Sequence, residues 1–173
     1  MALRALPALA SAGALILTLS GCAGGSGSDA VVIDGRRVSV TEVERTADAV
    51  AKTVRGDSAT LRDQQLVVAA LVAQALADSA AEKAGQPITP ADRDAALASI
   101  SGGTQIADVP DARPYAVAVG DIVYAQKALG AEAIAAQQVN TSIRVNPRYG
   151  SWDTQQMSLV SGTGSLSVPV TVR

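Results

Sequence analysis

The clearest regularity along the chain is a stripe of apolar and small residues between residues 60 and 84. Its members recur at helical spacing, namely Val68, Leu71, Val72, Ala75, Leu76 and Ser79. Positions i, i+3, i+4 and i+7 share one face of an α-helix, so the pattern predicts a long helix over about 60–84. Gly85 is expected to end it, because glycine readily adopts the left-handed conformation just beyond a helix.

A shorter helix is predicted ahead of this stripe, over about 41–54. Thr41, followed three residues later by Glu44, has the form of a capping box, and Val40 stands where a hydrophobic staple is expected. The apolar positions of this helix are Val43, Ala47, Val50 and Val54. Glycine at position 56 then breaks the pattern.

A third helix is predicted over about 90–100. Thr89 supplies a capping side chain, Pro90 suits the first helical position, and Asp92 places a negative charge in the first turn. The residues that follow, 101–113, contain two adjacent glycines and a proline, and are therefore expected to form a loop.

The last predicted helix starts near Pro114 and extends to about residue 138. Its stripe consists of Tyr115, Val119, Ile122, Gln126, Leu129 and Ala133. Two glycines weaken it, so a break near Gly130 is an alternative to one continuous helix.

Strand patterns lie on both sides of this helical region. Apolar residues flank Asp34-Gly35, which predicts a β-hairpin over 30–39. Farther along, Ile143 and Val145 alternate in an extended segment, 140–146. Two strands alone are marginal in water, so this segment is expected to add a third strand and to bring the two ends of the domain together.

The third strand should end at Asn146-Pro147, because proline cannot donate to a strand ladder. The elements together predict a mainly α domain over 30–153, with a short hairpin and a C-terminal strand. Residues 154–173, rich in Ser, Gly and Thr, are predicted to be a disordered tail; an alternative is a weak strand near its end.

The N-terminus has the pattern of a bacterial lipoprotein signal. Arg4 precedes a broken apolar run that is too short for a comfortable transmembrane helix, so residues 1–21 are predicted to be a signal peptide. The run ends Leu19-Ser20-Gly21-Cys22, which resembles a lipobox. Cys22 is therefore the expected lipidation site.

Residues 22–29 follow as a Gly/Ser tether. The interpretation places the mature protein on the extracytoplasmic face of the cell membrane, anchored through diacylglycerol at Cys22. The abundance of Ala and the excess of Arg over Lys suggest a GC-rich, actinobacterial source.

The composition argues against several classes of function. The chain has no histidine and a single cysteine, Cys22, which lipidation would occupy; no catalytic residues, metal site or cofactor are therefore expected. Asp and Glu are expected on polar helix faces, at ordinary spacings. Basic residues are scattered and the net charge is -2, so nucleic-acid binding is not expected either.

Several segments, taken in order, carry a resemblance to a known family. They are Val-Val-Ile-Asp-Gly-Arg-Arg-Val-Ser-Val-Thr-Glu-Val at 31–43, Gln-Leu-Val-Val-Ala-Ala-Leu-Val at 65–72, Glu-Lys-Ala-Gly at 82–85, Ile-Thr-Pro-Ala-Asp at 88–92 and Val-Asn-Pro-Arg-Tyr-Gly-Ser-Trp-Asp at 145–153. Their order resembles the N-terminal domain of the SurA and PrsA extracytoplasmic foldases, which share a domain type with trigger factor. The closing segment resembles the end of that domain in short actinobacterial lipoproteins of the family.

The resemblance implies a helical, chaperone-like domain whose extended ends meet and whose cradle holds unfolded chains. It does not imply prolyl isomerisation, because only 101–113 separates the third and fourth predicted helices, too little for a parvulin domain. Such a domain usually carries His and Phe, and this chain has neither.

Two functions stay open at this point. One is a holdase or foldase accessory that binds unfolded or extended polypeptide, and the other is a scaffold lipoprotein for one specific envelope partner. Apolar surface left over after the core is built would favour the first, and it is expected as a cleft of exposed Val, Leu and Tyr that remains once the second and fourth helices have packed. Aromatic residues make up only 2% of the chain, so such a surface would be aliphatic and shallow.

The motif near the C-terminus is the remaining candidate site. Its residues are Asn146, Pro147, Arg148, Tyr149, Gly150, Trp152 and Asp153. Two readings are open: a structural cap on the helical core, or a conformational lock or partner-binding patch. In either, Trp152 is expected to fold back onto the helices and to bury a large apolar area.

Overall fold

A computed structural model describes residues 27–160, and helices account for most of them. The helices are α1 Val40–Arg55, α2 Leu61–Lys83, α3 Pro90–Ala98, α4 Gly103–Ala107, α5 Arg113–Leu129 and α6 Ala131–Ala135, with 3₁₀ turns at Ala136–Val139 and Pro147–Tyr149. The strands are β1 Asp29–Ile33, β2 Arg36–Ser39, β3 Ile143–Val145, β4 Ser151–Asp153 and β5 Ser158–Val160. The predicted mainly α fold with a short hairpin is confirmed.

The hairpin of β1 and β2 forms where the Asp34-Gly35 pair predicts it. Asp34 and Gly35 have φ angles of 48° and 83°, the positive values that a tight hairpin turn requires. Glycine reaches such values without steric cost, and Asp tolerates them better than most residues.

The third strand also lies where the alternation of Ile143 and Val145 predicts it. β3 pairs antiparallel with β1, and the sheet order is β2-β1-β3. The Asn146 amide donates to the Ala30 carbonyl at 2.8 Å, and the ladder ends at Pro147. The two ends of the described region are therefore joined in one sheet.

The first residue of α1 differs from the prediction. Ser39, not Thr41, caps the helix by accepting from the Glu42 amide at 3.1 Å, so Val40 is the first helical residue and is no staple. The two candidate pairs, Ser39 with Glu42 and Thr41 with Glu44, have the same spacing. β2 ends at Ser39, and the helix begins at the next residue.

The second and third predicted helices both start at capping boxes. Thr60 and Asp63 close the N-terminus of α2, and Thr89 and Asp92 close that of α3 with Pro90 inside the first turn. Gly85 follows α2 with a φ of 68°, as expected for a terminating glycine.

The face of α5 that packs against α2 and α3 differs from the predicted stripe of the fourth helix. Its fully buried residues are Ala116, Ala118, Gly120, Asp121 and Ala125, whereas Gln126 is exposed. A Cβ on Gly120 would lie 2.8 Å from Cγ of Arg93 and 3.0 Å from Cγ of Leu97. The helices approach so closely that only small residues fit between them, and the larger members of the predicted stripe lie at the flanks.

The segment predicted as a loop, 101–113, contains the short helix α4. Gly102 precedes the helix with a φ of 76°. Gly103 is buried, and only glycine fits there because a Cβ would overlap the Leu97 carbonyl oxygen. The alternative of a break near 130 is confirmed: Gly130 has a φ of 84° and separates α5 from α6.

The C-terminal region is more ordered than predicted. β5 pairs antiparallel with β4, so the expected tail does not begin at residue 154. Tyr149 is fully buried, whereas Trp152 reaches the core only in part. The rest of the expected tail, 161–173, lies outside the described residues.

The lipobox, Leu19 to Cys22, and the signal peptide also lie outside the described residues. Within them, α2 is the one helix long and apolar enough to cross a membrane by length and composition. Since α2 packs against α1, α5 and β1, core packing accounts for its apolar character.

Candidate functional site

Asn146 ties the end of β3 to the beginning of β1. Its side-chain amide donates to the Asp29 carbonyl at 2.8 Å, and its Oδ1 accepts from the Arg148 amide at 3.1 Å. The same side chain thus closes the sheet and starts the 3₁₀ turn that follows, which is a structural role.

Tyr149 is the buried centre of the predicted motif. Its ring is 0% exposed, and Gln65 of α2 donates to its carbonyl at 3.0 Å. Arg148 lies over the ring, 5.2 Å from its centroid, and pairs with Glu44 of α1 at 3.1 Å. Tyr149 is therefore part of the core, where it lies against α2.

Trp152 occupies a different position, on β4 at the surface. Its indole Nε1 donates to Oε1 of Gln138 at 3.1 Å, which fixes the ring against the 3₁₀ turn after α6. The half-buried ring forms one wall of a groove of about 520 Å³ whose other wall is β3. The groove, here named the strand groove, is lined by Gln138, Ile143, Arg144, Val145, Pro147 and Trp152 among others.

The backbone of β3 faces the strand groove with an open edge. β1 pairs with β3 so that Arg144 lies opposite Val32. On either side of this pair, the Asp34 amide donates to the Ser142 carbonyl and the Asn146 amide donates to the Ala30 carbonyl. In an antiparallel ladder, the N–H and C=O of alternate residues point outward. Those of Ile143 and Val145 therefore point away from β1. No strand within 27–160 pairs with them, and β4 lies beside β3 across the groove.

Arg144 is the charged side chain of the strand groove. It is exposed, and its guanidinium makes no ion pair with any residue within 27–160. The groove lining contains no carboxylate. The groove therefore combines an apolar ring, an open strand edge and one positive charge.

A second apolar surface lies between α1 and α2. Val54 and Leu66 are 59% and 52% exposed, large values for such side chains. With Val50, Ile106 and Tyr115 they line a cleft of about 190 Å³, here named the apolar cleft. Val, Leu and Tyr side chains thus line a cleft, but it lies between α1 and α2 and not between the predicted second and fourth helices.

One rim of the apolar cleft is an ion pair. Arg55 at the end of α1 forms two hydrogen bonds to Asp63 of α2, at 3.1 and 3.0 Å. The hydrogen bond from Arg55, with those from Thr60, holds the pKa of Asp63 down at about 2. The pair holds the two helices together at the mouth of the cleft.

A buried ion pair farther along α2 was missed by the sequence analysis. Asp121 is 0% exposed and accepts from Arg93 at 2.6 and 3.1 Å and from Gln74 at 2.8 Å. The expectation that acidic residues lie on polar helix faces is therefore wrong for Asp121. The available sign was an acid placed among Val119, Gly120 and Ile122, within an apolar stretch.

Asp78 of α2 lies close to this ion pair. Its burial, reinforced by the negative charge of Asp121, raises the pKa of Asp78 to about 6. Residues 27–160 contain no group of three or more His, Cys, Asp or Glu that would hold a metal ion. Through their hydrogen bonds, Gln74, Arg93 and Asp121 join α2, α3 and α5, which is a structural role.

Comparison of the chain with protein-family models, with curated proteins and with solved structures found no match in any of the three.

Proposed function

We propose that this protein is a membrane-anchored extracytoplasmic lipoprotein that binds unfolded or extended polypeptide. It acts as a chaperone-like holdase or foldase accessory and has no isomerase activity. The sequence segments that resemble the SurA and PrsA N-terminal domain support this assignment, as does the joining of the two ends of the described region by β1 and β3.

The observation that carries the proposal is the apolar cleft. Val54 and Leu66 stay more than half exposed after α1 and α2 have packed. These two side chains are neighbours across an open cleft of about 190 Å³. Their exposure at one place on the surface supports a role in binding.

The size of the cleft sets the strength of binding. A client side chain that buries about 100 Å² of apolar surface gains roughly 2.5 kcal/mol. Because a millimolar dissociation constant already needs about 4 kcal/mol, one such contact holds a client only briefly. Weak binding that tolerates many sequences suits a holdase, and several contacts on one client raise the overall affinity.

Membrane attachment is the second part of the proposal. The lipobox that ends at Cys22 supports it, since a diacylglycerol anchors a protein stably whereas one acyl chain binds only marginally. The variant Cys22→Ser should leave the membrane fraction or stay unprocessed. Fractionation and migration identical to the wild type would contradict lipidation.

The absence of isomerase activity rests on the short 101–113 segment and the lack of His and Phe. A proline-peptide isomerisation assay tests it directly. Acceleration that scales with the amount of protein and survives repurification would contradict the proposal.

Suppression of aggregation tests the holdase assignment. The wild-type lipoprotein in detergent micelles should slow the aggregation of an unfolded client, and the double variant Val54→Ser/Leu66→Ser should lose most of this effect. Val139→Ser is the matched control, because Val139 is 86% exposed and lies outside the cleft.

Melting curves must show that the double variant and the control variant both stay folded. Equal suppression by the cleft variant and the wild type would contradict the role of the cleft. No suppression by the wild type, together with recovery of one stoichiometric envelope protein, would favour the scaffold function instead.

A further inference from the structure

We propose that the strand groove binds an extended polypeptide segment as an added β-strand alongside β3, with an acidic side chain of that segment placed beside Arg144. The inference deepens the proposed function and rests on it, because it names the class of segment that is bound and the way it is held. It concerns a second surface, separate from the apolar cleft.

The backbone of β3 supplies the hydrogen-bonding groups for an added strand. Ile143 and Val145 each present one N–H and one C=O to the open edge, spaced for a neighbouring strand. Unpaired groups in a row at a sheet edge are a template for strand addition. Because β3 has three residues and Pro147 follows, the added strand pairs over a short stretch only.

The side chains of β3 define the sequence preference. Ile143 and Val145 lie on the face of β3 that packs against the core, and Arg144 lies on the exposed face. Directly opposite residues of paired strands share a face. The bound segment is therefore apolar beside Ile143 and Val145 and acidic beside Arg144, and its apolar side chains reach the Trp152 wall of the groove.

Charge favours this bound segment over two other candidates for the groove, a second copy of the chain and residues 161–173. A second copy paired antiparallel about β3 would bring the two Arg144 guanidinium groups together, with no carboxylate in the groove lining to compensate. Residues 161–173 of this chain contain no Asp or Glu. A client segment of alternating apolar and acidic residues satisfies both the open edge and the unpaired Arg144.

The probe is a fluorescein-labelled peptide that alternates valine and glutamate, tested with the full lipoprotein in detergent micelles. A second peptide has lysine in place of glutamate, and a third has N-methyl groups on the backbone amides that would face β3. Fluorescence anisotropy measures binding. Trp152, the single tryptophan of the chain, reports occupancy of the groove through its emission.

The expected result is that the glutamate peptide binds and shifts the Trp152 emission. The lysine peptide binds at least about tenfold more weakly, and the N-methylated peptide does not bind. Arg144→Glu reverses the preference between the glutamate and lysine peptides. A reversed preference requires contact with the side chain at 144, which a merely structural role would not give.

Two substitutions at Val145 isolate the backbone contact. Val145→Pro removes the outward N–H and leaves the β1 ladder intact, since an edge position tolerates proline. Val145→Ala removes a similar amount of packing but keeps the N–H. Val145→Pro should abolish peptide binding and Val145→Ala should retain it, provided that both show cooperative melting.

Binding of the N-methylated peptide, or equal binding by Val145→Pro and Val145→Ala, overturns strand addition. A dimer that Val145→Pro dissociates would assign the groove to a second copy, and binding only after removal of 161–173 would assign it to that segment; either overturns the proposal. If aggregation suppression survives in Val145→Pro while no peptide binds, strand addition fails and the holdase function stands. If peptide binding persists without any suppression, the holdase function fails instead.

Discussion

Two regions of the molecule pack against helix α2. In one region, helices α3 and α5 pack through alanines and a glycine around a buried ion pair. In the other region, the sheet of β1, β2 and β3 ends in an open edge beside a tryptophan. In the first region the Asp121 carboxylate meets Arg93 and Gln74. In the second, two outward backbone pairs and Arg144 have no partner within 27–160.

The difference follows from side-chain size and backbone pairing. Small residues let the helices approach closely, and the one charge taken inside has to be paired there. A short third strand pairs with the sheet on one side only and leaves its other edge unpaired. In the proposed function, the helical region provides rigidity, and the sheet region and the α1–α2 surface bind the client.

Removal of the sheet region's C-terminal part should have the largest effect on stability. A chain that ends at Asn140 loses β3 and the buried ring of Tyr149, and its unfolding free energy should fall by about 5 kcal/mol or more, since a buried aromatic alone contributes ~3–5 kcal/mol. A chain that ends at Met157 loses only β5 and should lose ~1 kcal/mol. Thermal melts compare the two; equal midpoints would show that 141–157 adds no stability.

The ion pair in the helical region should give the next largest effect. Asp121→Ala leaves Arg93 and Gln74 without their acceptor and should cost about 3–5 kcal/mol. Asp94→Ala is the control, because Asp94 is an exposed carboxylate on α3 and its loss should change stability by less than about 0.5 kcal/mol. Chemical denaturation measures both, and similar values would mean that burial of the pair does not matter.

A smaller effect, dependent on pH, is expected at Asp78. Its pKa rises from 3.8 to about 6 on folding, so the folded state holds this proton more tightly than the unfolded state. The protein therefore gains stability as the pH falls from above 6 towards 4 and loses it as the pH rises. At pH 8 the unfolding free energy of Asp78→Asn should exceed that of the wild type by about 1 kcal/mol after allowance for solvent screening, so the variant should melt at a higher temperature. Near pH 4 the two should not differ.

Asp63 should show the opposite sign. Its pKa is lowered from 3.8 to about 2, so its contribution to stability is complete above pH 4 and is lost as the pH falls towards 2. Asp63→Asn should therefore melt below the wild type at pH 7 and approach it near pH 2. Melting curves of the two variants that respond to pH in the same direction would contradict this account.

Local patterns made much of the fold predictable. Asp34-Gly35 specifies its turn through two residues, and Thr89, Pro90 and Asp92 specify a helix start within one turn. The errors arise where distant residues decide. Ser39 and Thr41 are equivalent caps until the end of β2 is known.

The two interior differences between prediction and structure have the same origin. Asp121 is buried because Arg93 and Gln74 come from two other helices, which no local pattern reveals. Tyr149 rather than Trp152 fills the core, and this depends on how the 3₁₀ turn that contains Tyr149 lies against α2. The apolar cleft depends on how α1 and α2 cross, so the sequence could set a criterion for it but could not locate it.

Site-specific photocrosslinking in the native envelope tests the central claim, that the apolar cleft binds unfolded polypeptide, most directly. A photoreactive amino acid placed at Leu66 faces the cleft, and one placed at Val139 is exposed elsewhere. The account predicts crosslinks from position 66 to many secreted chains, increasing when unfolded protein accumulates, and few from position 139. Equal crosslinking at both positions, or a single partner at position 66, would contradict it.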